Sequence, residues 1–271
     1  MQGWKRFIPT EAKTEYIQSL LEVGFDTIDF GSFVSPKAIP QLADTKKVIE
    51  KLDLQRSRSK LLAIVANERG AREAVAYEAI SYLGFPFSIS ETFQQRNTNS
   101  SVFESLGRVE EIQRICSRSS RQLVAYISMA FGNPYGDAYT QEIAYGWAGK
   151  LADVGVKIIS LADTVGLASP EQVEKMTRFL VQQLPGVQIG VHLHSTPANW
   201  KEKVEAAFRA GCTRFDGALK GVGGCPMAGD ALVGNMNTEW MISYFDKLAV
   251  PLPLDRDALQ KCGELAGRLF Q

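Results

Sequence analysis

The chain has only two histidines, and they stand one residue apart in Val191-His192-Leu193-His194. The residues before them, Gln188-Ile189-Gly190-Val191, read as a strand, where positions i and i+2 point to the same face. Two imidazoles on one face at the end of a buried strand are a usual protein contribution to a divalent-metal site. Two histidines satisfied by hydrogen bonds on a polar strand face would look the same in isolation. The chemical reading gains weight from a glycine-rich segment downstream, Lys220-Gly221-Val222-Gly223-Gly224-Cys225-Pro226, which is followed by Gly234-Asn235.

Such groups act together only if the fold brings them together, and the chain reads as a regular alternation of strand and helix. Apolar periodicity predicts helices over 11–23, 37–52, 68–77, 102–118, 141–154, 169–184 and 201–210. Between them fall strands at 27–30, 61–66, within 79–90, and at 122–129, 156–161, 187–191 and 213–217. The run Leu61-Leu62-Ala63-Ile64-Val65-Ala66 is apolar throughout, as a strand covered on both faces requires. The polar stretch 91–101 reads as a loop. Seven strands separated by helices, at a repeat of about thirty residues, predict one α/β domain over 1–271, a TIM (β/α)8-type barrel with seven recognisable strands. A doubly wound open sheet is disfavoured, because no strand is followed by Gly-x-Gly-x-x-Gly opening a helix.

Bulk properties narrow the function. Thirty basic residues balance thirty acidic ones, so no electrostatic footprint points to nucleic acid or an anionic membrane surface. No apolar run has the length of a membrane span, and no secretory signal opens the sequence. Cys116, Cys212, Cys225 and Cys262 show neither zinc spacing nor a disulfide framework. The expectation is a cytoplasmic protein.

In barrels of this kind the chemistry gathers where strands end. The polar residues there are Asp29 and Ser32, Asn67, Ser128, Ser160 and Asp163, His192 and His194, then Cys225 and Asn235. Singly, each has an ordinary explanation. Asp29 and Asp163 could cap helices or form turns, Asn235 could be a turn residue, and Cys225 a small buried hydrophobe. Successive strand ends meeting at one mouth favour the reading that joins them.

On Gly31-Ser32-Phe33-Val34-Ser35-Pro36-Lys37, Ser160-Leu161-Ala162-Asp163-Thr164-Val165-Gly166, Val191-His192-Leu193-His194 and Gly223-Gly224-Cys225-Pro226, with Gly234-Asn235 beyond, the chain resembles the hydroxymethylglutaryl-CoA lyases. These are metal-dependent barrels that break a carbon–carbon bond in an acyl-CoA, a step of leucine degradation. The resemblance implies that His192, His194 and Asn235 ligate Mg²⁺ or Mn²⁺. It implies that Cys225 transfers a proton and that Asp29 and Asp163 are acidic catalytic positions. Gln2, Ser32, Ser160, Tyr135, Gly223 and Gly224 are the implied substrate-binding positions. The implied partner is an acyl-CoA, and the resemblance leaves room for a homodimer. Arg96, or the cluster Arg56, Arg58 and Lys60, could meet CoA phosphates or simply form solvated faces.

The reaction explains the residue types. A tertiary hydroxyl must lose its proton, the C2–C3 bond must break, and an acetyl-CoA enolate must be protonated. A chelated dication acidifies and orients the hydroxyl, an acidic residue takes the proton, and a cation is wanted at the thioester oxygen. Family members begin with a strand ending in Arg-Asp, the Asp a metal ligand and the Arg that cation. This sequence opens at Met1-Gln2-Gly3-Trp4. The expectation is therefore a native protein with an upstream strand or, failing that, an impaired short form with exposed sheet edges at the strands of Asp29 and Phe215. The other functions to weigh are a lyase or condensing enzyme for a different 3-hydroxyacyl-CoA, and a non-catalytic acyl-CoA binder.

Overall fold

The structure, a computed structural model, describes residues 1–4, 6–224 and 233–271. Seven parallel strands run in the order of the chain: β1 (Thr27–Ser32), β2 (Lys60–Ile64), β3 (Ile80–Ser88), β4 (Gln122–Ser128), β5 (Ile158–Ala162), β6 (Gln188–His192) and β7 (Arg214–Asp216). Each pairs only with its sequence neighbours among the described residues, so β1 and β7 form the two margins of a curled, barrel-like sheet. The βα alternation dictates this order, since right-handed crossovers lay each strand beside the last.

Parallel pairing sets which side chains share a face. Asp29 lies beside Leu62, Tyr126 beside Ser160, and His192 beside Asp216. Lower on the same face Leu62, Tyr82, Val124 and Ile158 pack into a small apolar layer with Ile64 and Tyr126 at its edge. Gly84 is required within that layer. A Cβ there would stand 2.6 Å from Ile64 Cδ1 and 3.0 Å from Leu62 Cδ2, closer than packed carbons tolerate. The opposite faces carry the larger core, including Phe85, Phe87, Ile127 and Ile159, against the helices.

The helices are α1 (Thr10–Val23), α2 (Thr45–Ile49), α3 (Glu68–Val75), α4 (Glu91–Thr98), α5 (Val102–Arg118), α6 (Gln141–Asp153), α7 (Pro170–Gln183), α8 (Trp200–Arg209), α9 (Thr238–Lys247) and α10 (Arg256–Leu269). Several start on sequence-encoded caps. Ser101 with Glu104, and Ser169 with Gln172, form reciprocal capping boxes, each satisfying backbone N–H groups that a helix start leaves unpaired.

Two expected elements differ. The helix predicted over 37–52 is a 3-10 turn, Pro40–Leu42, followed by the short α2. Pro40 cannot donate to a preceding turn, and the side chains beyond it serve other partners. Gln41 donates to the carbonyls of Trp4 and Arg6 and accepts from Ile8 N–H. Asp44 forms a buried ion pair with Lys13 at 2.7 Å. The predicted loop at 91–101 contains α4 instead. Ser90 caps its start, and Asp137 accepts from Ser90 Oγ, Thr92 N–H and Thr92 Oγ1 across forty-odd residues. That carboxylate is a tertiary partner, invisible to local periodicity.

Candidate active site

The C-terminal ends of β5, β6 and β7 come together, and Asp29 from within β1 lies within electrostatic reach of them. His192 closes β6, and its Nδ1 lies 3.4 Å from Asp216 Oδ2 at the end of β7. The pair is close enough to interact as charges but is not aligned as a hydrogen bond, and Nδ1 has no hydrogen-bond partner among the described residues. Ser160 Oγ donates to the same Asp216 oxygen at 3.2 Å. The His194 ring is 5.5 Å from that of His192, and Tyr126 of β4 meets His192 edge-on at 5.9 Å. Asn235 is brought in by an antiparallel bridge to His194. Its Nδ2 donates to the carbonyl of Val222 at 2.9 Å.

The electrostatics divide these groups by task. Burial pushes the Asp29 carboxyl up to about 7, and the neighbouring Asp216 adds to the shift while the N-terminal amine and His192 oppose it. Asp29 is nonetheless solvent-exposed. It lies in a concave mouth, crowded by protein yet reached by water, which tempers the rise without reversing it. Burial alone would lower His192, but the carboxylates of Asp216, Asp29 and Asp163 outweigh it and hold the imidazole above its ordinary value. Burial drives His194 down to about 3, with His192 and Lys203 adding to the fall. His194 is therefore a neutral donor at pH 7, the form in which imidazole binds a metal.

Two imidazoles, one amide and two nearby carboxylates form a donor set suited to a divalent ion of the Mg²⁺ or Mn²⁺ type. Among the described residues no three His, Cys, Asp or Glu side chains already converge as a cluster. The residues still fit such an ion. His192 Nδ1 is buried without a hydrogen-bond partner among the described residues, His194 is neutral, and Asn235 commits its Nδ2 to Val222, so its Oδ1 is the atom it could offer an ion.

The other residues singled out from sequence divide. Ser160 is buried within the cluster through Asp216. Ser32, also buried, spends its hydroxyl on the chain itself, donating to Ile64 O and accepting from Val34 N–H. Asp163 has both carboxylate oxygens engaged, Oδ2 by Lys203 Nζ at 2.7 Å and Oδ1 by Ala168 N–H at 3.1 Å. Tyr135 lies under the Arg96 guanidinium, 4.7 Å from ring to Cζ. Gln2 is exposed. The adjacent Gly3 faces the carbonyl of Gly224, which places the first residues beside the glycine-rich segment. Gly223 accepts from Asn235 N–H, and a Cβ on it would stand 3.0 Å from Asn235 Nδ2. Cys225 lies outside the described residues.

Sequence reasoning missed Asp216, Tyr126 and Lys203. Asp216 ends the last strand in Phe215-Asp216-Gly217 and met the strand-end criterion. Tyr126 has the parity of the inner face, two residues from Val124. Lys203 falls on the buried side of α8 with Val204, Ala206 and Ala207, a position where an unpaired lysine would be too costly to keep.

Comparison with known proteins follows the same lines. The sequence model of the HMGL-like family matches residues 1–265. A hydroxymethylglutaryl-CoA lyase of Bacillus subtilis (strain 168) is 32% identical over 253 residues, covering 92% of this chain and 83% of that protein. The (R)-citramalyl-CoA lyase of Chloroflexus aurantiacus is 31% identical over 257 residues, covering 91% and 80%. The structure of an HMG-CoA lyase from Acinetobacter baumannii, in complex with coenzyme A and 3-methylmalate, superposes with a TM-score of 0.91 at 30% identity, covering 99% of this chain and 87% of that one.

Proposed function

This chain belongs to the HMGL-like family and is a carbon–carbon lyase, and from that premise we propose that it cleaves 3-hydroxy-3-methylglutaryl-CoA to acetyl-CoA and acetoacetate. The observation that carries the reading is the meeting of His192, His194 and Asn235 beside two carboxylates, Asp29 and Asp216, at one end of the sheet. We place the protein in the cytoplasm, in leucine degradation. No helix among the described residues is long and apolar enough to cross a membrane.

His192, His194 and Asn235 would hold Mg²⁺ or Mn²⁺. The ion would supply polarisation of the substrate hydroxyl and carboxylate. Asp29 takes the hydroxyl proton. A carboxyl raised above its ordinary value suits that task, because a base works best with its pKa close to the operating pH. As the proton leaves, the C3–O bond becomes a carbonyl, the C2–C3 bond breaks, and its electron pair passes to the thioester as an enolate. Cys225 returns a proton to C2, releasing acetyl-CoA. Gly223 leaves room for Asn235, whose Nδ2 would stand 3.0 Å from a Cβ there. Ser160 orients Asp216, which in turn holds the His192 edge of the site.

The likeness to the (R)-citramalyl-CoA lyase supports a second reading, in which the substrate is another 3-hydroxyacyl-CoA. Both are tested by measuring ketone product from the two CoA esters side by side, with and without Mn²⁺. Mn²⁺-dependent acetoacetate release supports the first reading. Faster turnover of citramalyl-CoA transfers the assignment to the second. Thermal stabilisation by CoA ester without product from either would leave an acyl-CoA binder.

A further inference from the structure

Lys203 is the least exposed charged group near the site, with 1% of its side-chain surface accessible, and its partner Asp163 shows 2%. Its Nζ donates to Asp163 Oδ2 at 2.7 Å, to the backbone carbonyl of His194 at 2.9 Å, and to that of Gly166 at 3.4 Å. One ammonium thus saturates its three donors on two separate chain segments. Asp163 carries the tie onward. Its N–H donates to the carbonyl of His192 at 3.0 Å, and its Oδ1 accepts from Ala168 at the approach to α7. From His194 the chain runs directly to Ser195, whose N–H donates to Gly234 O, and His194 itself bridges Asn235.

We propose that Lys203 is a positioning residue. Reaching up from α8, it fixes the backbone of His194 and the loop after β5, and so aims the His194 ring. Asp163 in this chain then acts as the buried counter-ion of that clamp rather than as a proton carrier, because neither of its oxygens is left to face a substrate. The functional importance of the clamp rests on the metal-site reading above, whereas the geometric claim does not.

The test uses protein labelled with ¹⁵N in its histidines. Only two exist, so the imidazole signals are assigned by comparison with His192→Ala. Removing Lys203 alone would strand a buried carboxylate, so the informative variant is the neutral double substitution Lys203→Met with Asp163→Asn. Without metal, its His194 signals should shift and broaden while those of His192 move less. Its affinity for Mn²⁺, read by titration of the free ion's paramagnetic signal, should fall about 10–100-fold, as for loss of other groups that orient a ligand. Lys203→Gln with Asp163→Asn, whose amide can still donate to His194 O, should recover part of both. His194 signals unchanged in the Met variant would overturn the proposal. So would an equal disturbance of both histidines, which would mark a general packing role. If the parent binds no Mn²⁺, the metal reading fails while the histidine spectra still decide the clamp.

Discussion

Asp29, within β1, and Asp163, directly after β5, are the same residue type on one sheet, yet their surroundings differ in nearly every respect. Asp29 stands in the open mouth with water at hand, is crowded by another carboxylate, and has its pKa pushed up to about 7. Asp163 is sealed from water, 2.7 Å from a lysine, with both oxygens occupied. A place on the sheet brings a carboxylate near the site, and the further element that packs against it decides whether the carboxylate is free to react. At the loop after β5 that element is α8, which packs beside α7 and delivers Lys203. At β1 the neighbouring negative charge is Asp216 and no cation side chain pairs with Asp29 among the described residues.

Four measurements test this contrast. The largest effect is expected from Asp29→Asn, which removes the proposed base and should cut kcat by about 10²–10⁴. Its thermal stability should equal or exceed the parent's at pH 8, since the parent must hold a charge there that its site disfavours. A matching loss of kcat from a variant that also unfolds would erase the distinction between the two aspartates. Lys203→Met should behave in the opposite manner, losing about 3–5 kcal/mol of stability because a buried carboxylate is left uncompensated. Chemical denaturation reads that loss directly, and a change under 1 kcal/mol would mean that water or another group replaces the lysine.

The third measurement is the pH profile. Because the folded pKa of Asp29 is raised, the folded state binds this proton more tightly than the unfolded chain does. Its contribution to stability is full below the unfolded value of 3.8 and is lost as pH rises through about 7. Activity should run the other way, rising with pH as the base form appears, with the midpoint moved downward when a divalent ion is bound nearby. An Asp29→Asn variant that retained the same limb would assign it to another group. The smallest effect belongs to Ser169→Ala, which removes the cap of α7 just beyond the Asp163 loop. It should cost about 1 kcal/mol and leave kcat unchanged, showing that helix-start energetics and site chemistry are separable there.

Much of the fold was legible because the signals are local. The apolar run of β2 and the starts of α5 and α7 each follow from side-chain periodicity or short-range hydrogen bonding. The misread stretches share a cause. α4 is held by Asp137, far along the chain, and the turn at Pro40 is shaped by Trp4, Arg6, Ile8 and Lys13. The site shows the same division. His192 and His194 stood out through their spacing, and the structure places their rings together. Asp216 and Tyr126 had the right strand parity, but parity assigns a face and not a neighbour.

The alternation of strands and helices, the common face of the two histidines, and the family are all written in short motifs and fixed periods of the chain. Which charges face one another depends instead on how the elements pack in space. Pairing β6 with β7 sets Asp216 against His192, and packing α8 beside α7 sets Lys203 against Asp163. Coulomb energy and desolvation depend on separation in space and on access to water, and separation along the chain specifies neither.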